Sequence, residues 1–264
     1  MSDRNMKMTT LGDSRLAVSR IGLGLAALGR PGYINLGHAD DLRGDHSVEI
    51  MQAQAFEVLD AAWTAGVRYF DAARSYGRAE AFLASWLESR AIERGSLTIG
   101  SKWGYTYTAD WKVEAERHEV KDHSLETLRR QTEETIETLG SFVKLHQIHS
   151  ATLESGVLDD SAVIDDLARL KSEFGWKIGL SLTGPNQADT LAKALTVNIN
   201  GLRLFDAVQA TWNLLEPSVG EFLAEAHDEG LGVIIKEALA NGRLSSRNDD
   251  PSFADSRTTL QAEA

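Results

Sequence analysis

Two hydrophobic patterns alternate along this chain. One is helical: between residues 48 and 65 the apolar positions Ile50, Ala53, Phe56, Val58, Leu59, Ala62 and Trp63 recur at the spacing of a helix face, and Gly66 closes the window. The same spacing recurs over 79–90, 124–139, 161–173, 186–199 and 219–229. The other pattern is a short run with almost no polar interruption, found at 21–27, 67–70, 97–100, 143–148, 176–180, 205–209 and 232–235. Such runs are strands buried on both faces, which is what covering helices produce. Alternating buried strands and helices of 10–18 residues predict a βαβ series with a parallel sheet.

The flanks modify this picture. Met8 to Leu11, the Gly12-Asp13 turn signal and Leu16 to Ser19 predict a small N-terminal hairpin, a lid over one end of the core. Residues 29–47 and 105–121 show no clear periodicity and read as long polar loops, the kind that carry function in compact folds. Residues 251–264 have room to begin one more helix. Seven strands suit either an open doubly wound sheet or a (β/α) barrel. No break in composition marks a linker, so residues 1–264 are expected to form a single domain.

Composition narrows the function. The 264 residues include 39 acidic and 27 basic side chains, a net charge of −12, and show no positive stripe for nucleic acid. The absence of cysteine removes disulfides and thiolate metal sites. His38 and His46 lack the spacing of a metal site. No window resembles a membrane span or leader, so a cytoplasmic location without membrane attachment is expected. Gly22-Leu-Gly24 lies within a strand and opens no helix, so it is not a dinucleotide fingerprint.

The strand ends carry chemistry. Asp71, Tyr76, Lys102 and His149 all lie just past successive predicted strands, and a barrel would bring them to one mouth. An ammonium beside Tyr76 would favour its phenolate and make it a proton shuttle, with Asp71 holding Lys102. His149 is suited to orienting a carbonyl oxygen. Since no side chain donates a hydride, reduction at this mouth needs a cofactor. Schiff-base chemistry at Lys102, as in a lyase or isomerase, is the alternative.

These motifs resemble the aldo-keto reductase family. Residues Phe70-Asp-Ala-Ala-Arg-Ser-Tyr-Gly-Arg-Ala-Glu80 are similar to its signature, with Ala72 replacing the usual threonine and Ala79 a common serine. Lys102-Trp-Gly104, Ile148-His149, Ile178-Gly-Leu-Ser181, Val208-Gln-Ala-Thr-Trp-Asn-Leu-Leu215 and Leu239-Ala-Asn-Gly-Arg-Leu244 follow in the family's order. The resemblance implies a (β/α)8 barrel of the TIM type and interconversion of carbonyls and alcohols with NADPH, or NADH. It implies Tyr76 as general acid, Lys102 and Asp71 as the pair tuning it, and His149 as the carbonyl-orienting group. Ser181 and Gln209 match positions holding the nicotinamide carboxamide, Trp212 the ring-stacking aromatic, and Leu239 and Gly242 the loop beside the pyrophosphate.

Two departures stand out. Leu182 replaces the asparagine that usually follows the serine. The family's eighth strand, its helix and the segment gripping the adenosine ribose are not recognisable before Ala264. A truncated relative, a gap filled by a partner or by the hairpin, and an incomplete sequence are the three explanations. Unpaired barrel edges would also invite self-association. The competing functional expectation is a weakly active or inactive barrel that senses cofactor or serves as an interaction protein.

Overall fold

The computed structural model describes residues 6–32, 45–246 and 248–256. The N-terminal hairpin pairs β1 (Met8–Thr10) with β2 (Ala17–Ser19) in antiparallel register. It then packs against the strand end at Gly230 to Gly232. Asp13 N–H donates to the Gly230 carbonyl at 2.8 Å, and a Cβ on Gly232 would stand 2.5 Å from Leu11 Cγ. The expected lid is therefore a plug at the end where the strand beginning at Gly232 starts.

The chain continues through β3 (Leu23–Gly24), α1 (Val48–Thr64), β4 (Tyr69–Asp71), α2 (Ala79–Ser89) and β5 (Thr98–Trp103). A short antiparallel hairpin follows, β6 (Tyr105–Tyr107) with β7 (Glu119–Lys121). Beyond it come α3 (Leu125–Leu139), β8 (Val143–Ala151), α4 (Ser161–Phe174), β9 (Lys177–Leu182) and α5 (Gln187–Leu195). The two-residue pair β10 (Asn198–Ile199) and β11 (Leu202–Arg203) precedes β12 (Ala207–Thr211), α6 (Gly220–Asp228) and β13 (Gly232–Lys236).

Seven strands form one parallel sheet in the order β13-β12-β9-β8-β5-β4-β3. Each strand adds beside its predecessor, so the winding never reverses as it would in a doubly wound sheet. The result is a half-barrel with helices outside, an incomplete TIM barrel. Among the described residues, β3 and β13 remain edges. The main core lies between helices and sheet, where Phe70, Ile99 and Trp103 meet Leu83, Trp86 and Leu128, all essentially inaccessible.

Several sequence expectations need correction. The run at 21–27 yields only two paired residues, because Leu25 N–H turns to the Asp71 carbonyl and Leu28 N–H closes back on Leu25. The stretch 105–121 is not featureless: Tyr-Thr-Tyr and Glu-Val-Lys pair across a charged connection that hides the alternation. The helix expected over 186–199 stops at Leu195, and Asn200 and Gly201 both take positive φ. Asn-Gly between two short apolar pairs is a hairpin turn signal that overrides the helical spacing. Pro251–Phe253 forms a short 3-10 turn capped by the Asp250 side chain, residues 254–256 continue it as the start of the expected last helix, and residues 257–264 lie outside the described residues. His38 lies outside them too.

Candidate active site

The strands extend further than the apolar runs suggest, and this decides where the polar residues stand. Lys102 lies inside β5 rather than past its end, and His149 lies inside β8. The register between β8 and β9 slips after Ile148, and Ser150 takes φ 53°. A bulge of this kind re-aims one side chain out of the alternation. His149 is thereby brought edge-on to Tyr76, with ring centroids 5.4 Å apart.

Asp71 is the hub. One of its oxygens makes a very short contact with Lys102 Nζ, both groups being buried. Its other oxygen accepts from Tyr69 Oη at 3.0 Å and from Gln147 Nε2 at 3.2 Å. A buried ion pair holds only if its remaining hydrogen-bonding capacity is met in this way. Gly100 makes the arrangement possible, since a Cβ there would lie 2.7 Å from Tyr69 Oη. Lys102 Nζ also reaches the Ala72 carbonyl at 3.2 Å and Tyr76 Oη at 3.5 Å.

The sequence reading missed Tyr69 and Gln147, although signals for both exist. Tyr69 stands two residues before Asp71, hence on the same face, and Gln147 is the register partner of Lys102. Glu80 was also missed as a buried support. Its carboxylate takes Arg74 at 2.5 Å and Thr135 Oγ1 at 3.0 Å, with Ser101 Oγ at 2.5 Å, tying the start of α2 to β5 and α3.

Electrostatics assign the protons differently from the simple ammonium argument. Burial, reinforced by the Asp71 charge, pushes the Tyr76 phenol far above its ordinary range. Lys102 does not reverse this because Asp71 sits directly on its ammonium. Tyr76 therefore holds its proton at neutral pH. Burial, and then the Lys102 charge, push His149 well below its usual range, so it is a neutral imidazole. Its Nδ1 lies 3.3 Å from Ser75 Oγ.

A cavity of about 970 Å³ opens over these groups, with Asp71, Tyr76 and His149 on its wall and Lys102 buried behind them. Ser181, Gln209, Leu239 and Gly242 line it as well. Ser181 Oγ accepts from Ser150 N–H at 2.8 Å. Gln209 is buried, and no hydrogen bond engages its amide among the described residues. Beyond β13 the backbone takes positive φ at Glu237, Ala240, Asn241 and Gly242, an irregular turn bordering the cavity. Trp212 is not among the lining residues; it is 45% exposed and its indole nitrogen crowds Gly220. Leu182 is wholly buried in the main core, and Thr183 meets the cavity instead.

Among the described residues no group of histidines and carboxylates is disposed to hold a metal, and no helix is long and apolar enough to cross a membrane.

The fold and this constellation define an oxidoreductase class, and comparison identifies it. The model of the aldo/keto reductase family matches residues 20–262, and the chain belongs to that family, whose general chemistry is hydride transfer between carbonyls and alcohols. An aldo-keto reductase of Strobilurus tenacellus is 35% identical over 92 residues, a match spanning 34% of this chain and 24% of that protein. A Schizosaccharomyces pombe protein provisionally named an aryl-alcohol dehydrogenase is 25% identical over 90% of this chain and 69% of its own length. Among solved structures, a provisionally assigned aldo-keto reductase from Pseudomonas aeruginosa is 27% identical with a TM-score of 0.68, covering 93% of this chain and 82% of that one. An aldo-keto reductase from Bacillus halodurans, at 22% identity and a TM-score of 0.69, covers 94% and 71% and shares the fold.

Proposed function

We propose that this chain is an NADPH-dependent carbonyl reductase, with NADH as the second candidate, in which Tyr76 is the proton donor. The observation that carries this reading is the convergence of a protonated Tyr76, a neutral His149 and the Asp71–Lys102 pair on one cavity wall. The residues present fit a nicotinamide carboxamide, because Gln209 lines the cavity with an amide that no hydrogen bond engages among the described residues, and Ser181 stands on the same wall. Leu239 and Gly242 belong to the turn that would run beside the pyrophosphate, where main-chain N–H groups serve anions. Trp212, exposed and outside the cavity lining, is the side chain proposed to stack on the ring. When bound, the cofactor supplies the hydride.

The chain's own residues supply everything else. His149, uncharged, orients the carbonyl oxygen by a hydrogen bond and avoids fixing it as an ion pair. Tyr76 delivers its proton to that oxygen as negative charge develops there, an interaction made only on the way to the transition state. Lys102, held by Asp71, stands 3.5 Å from the phenolic oxygen and stabilises the phenolate left behind. Tyr105, whose ring lies 5.0 Å from His149, narrows the mouth against water. A single domain, a cytoplasmic location, a small-molecule carbonyl or alcohol as substrate and self-association through the unpaired barrel edges complete the reading.

Tyr76→Phe tests it. The substitution keeps the ring and removes the proton donor, so kcat for a reactive aldehyde should fall by at least about 10²-fold while cofactor affinity is retained. The measurement is steady-state reduction beside a fluorescence titration of NADPH on the same stock. Equal activity in parent and variant would overturn the assignment. Tight cofactor binding with no turnover in either protein would favour a cofactor-sensing barrel.

A further inference from the structure

Two ion pairs flank Tyr76, and the activity above uses only one. Arg30, in the loop after β3, is buried, and its guanidinium carbon lies 5.5 Å from the centroid of the Tyr76 ring. Lys102 Nζ lies 5.0 Å from the same centroid. Arg30 is anchored from both sides: one nitrogen donates to the Ser75 carbonyl at 3.3 Å and to Glu119 Oε2 at 3.0 Å. Glu119 opens β7, so the β6–β7 hairpin and the loop carrying Arg30 meet beside the phenol. Arg30, Glu119, Tyr76 and Tyr105 all line the cavity.

We propose that Arg30 is a second positioning residue for the proton transfer, its cation favouring the Tyr76 phenolate, and that Glu119 sets how much of that charge Tyr76 feels. The inference rests on Tyr76 being the proton donor. A cation near an aromatic face is attracted by the ring's quadrupole, and far more strongly once the ring carries the phenolate charge. The interaction therefore strengthens as the proton leaves, which is what a group assisting the transition state must do. Lys102 is already matched by Asp71 in a very short contact. Arg30 is matched by a carboxylate that remains 29% exposed, so solvent blunts Glu119 more than it blunts Arg30 at 10%. Among the described residues, the charged and titratable groups facing Tyr76 are Asp71, Lys102, Arg30, Glu119, His149, Glu237 and Tyr69. Of these, Arg30 pulls the phenol down against burial, while Asp71, Glu119 and Glu237 push it up.

The test uses the full chain with Arg30→Met, Arg30→Lys, Glu119→Gln and Tyr76→Phe. Alcohol oxidation, which needs the phenolate, is followed with 4-nitrobenzyl alcohol and NADP across pH. Affinity for NADP is titrated on the same stocks, because a merely structural role would move it together with the rate. In Arg30→Met the rising limb of kcat against pH should be displaced to higher pH, with about tenfold slower oxidation at a given pH on that limb and NADP affinity unchanged. Arg30→Lys should recover most of the loss, and Glu119→Gln should displace the limb to lower pH. Since Glu119 is partly exposed and its amide is isosteric, that variant tests the idea even if Arg30→Met fails to fold. Coincident rate profiles in parent, Arg30→Met and Glu119→Gln would overturn the inference. So would a change confined to KM, which would make Arg30 a substrate contact. Full activity in Tyr76→Phe would instead overturn the underlying assignment of the proton donor.

Discussion

At Asp71 a single carboxylate serves three donors, and this explains both the chemistry and its vulnerability. Lys102 takes one oxygen while Tyr69 and Gln147 share the other. Removing the ammonium strands a buried charge with only neutral partners, an event that costs about 3–5 kcal/mol in comparable ion pairs. Lys102→Met should therefore lower both stability and rate. Carbonyl reduction should fall by at least about 10²-fold across pH 6 to 9. Denaturant unfolding of the same variant separates the two effects. An unchanged rate in a folded Lys102→Met would remove the lysine from the proton-transfer machinery.

Elements meet the site through close backbone approaches. The loop after β3 crosses the loop after β4 where Gly29 faces Gly77. Arg78 N–H donates to the Gly29 carbonyl at 2.7 Å, and a Cβ on Gly29 would lie 2.2 Å from the Tyr76 carbonyl oxygen. No rotamer change relieves that clash, because the opposing atoms are two main-chain atoms and the rigid Cβ of Ala79. Gly29→Ala should push the Tyr76 loop away from Lys102, destabilising the fold by about 1–3 kcal/mol, the range for forced overpacking. Its signature is a loss of kcat exceeding the loss of cofactor affinity. Thermal melts and steady-state rates on one preparation check it; full stability with full activity would mean the two loops can separate.

Across the whole molecule, buried histidines make the fold sensitive to acid. Burial pushes His146, wedged against Trp176, down to about 3, and His123 down to about 4. Both are neutral in the folded state at neutral pH and charge freely once unfolded. Their folded values are depressed, so unfolding takes up protons below about pH 6.5, and stability is lost as pH falls from there toward 4. The loss by pH 5 should be on the order of 1–2 kcal/mol per histidine, read from urea midpoints at pH 7.5 and 5. Equal midpoints would show that these rings are protonated in the native protein. The half-barrel geometry adds a second global feature. Its cavity extends from Tyr76 to Leu11 and Val18 of the hairpin, alongside the edges β3 and β13.

The sequence by itself determined the parallel sheet and the presence of Asp71, Tyr76, Lys102 and His149 near strand ends, while the sequential order of the strands, against a doubly wound one, was decided by the structure. Continuous apolar runs need covering on both faces, and only a βαβ series provides that. What it could not determine was where each strand stops. Lys102 and His149 are polar, so they look like loop residues, yet tertiary partners let them remain in β5 and β8. Hydropathy registers the cost of burying a charge and is blind to the partner that offsets it. The same blindness hid Tyr69, Gln147 and Arg30, whose roles exist only through groups 2, 76 and 89 residues away. It also reversed the expectation for the Tyr76 proton, since an ammonium beside a phenol acts one way alone and another way once a carboxylate occupies it. Spacing along a chain reports which face a residue shares; the sign of the field it feels is set by folding alone.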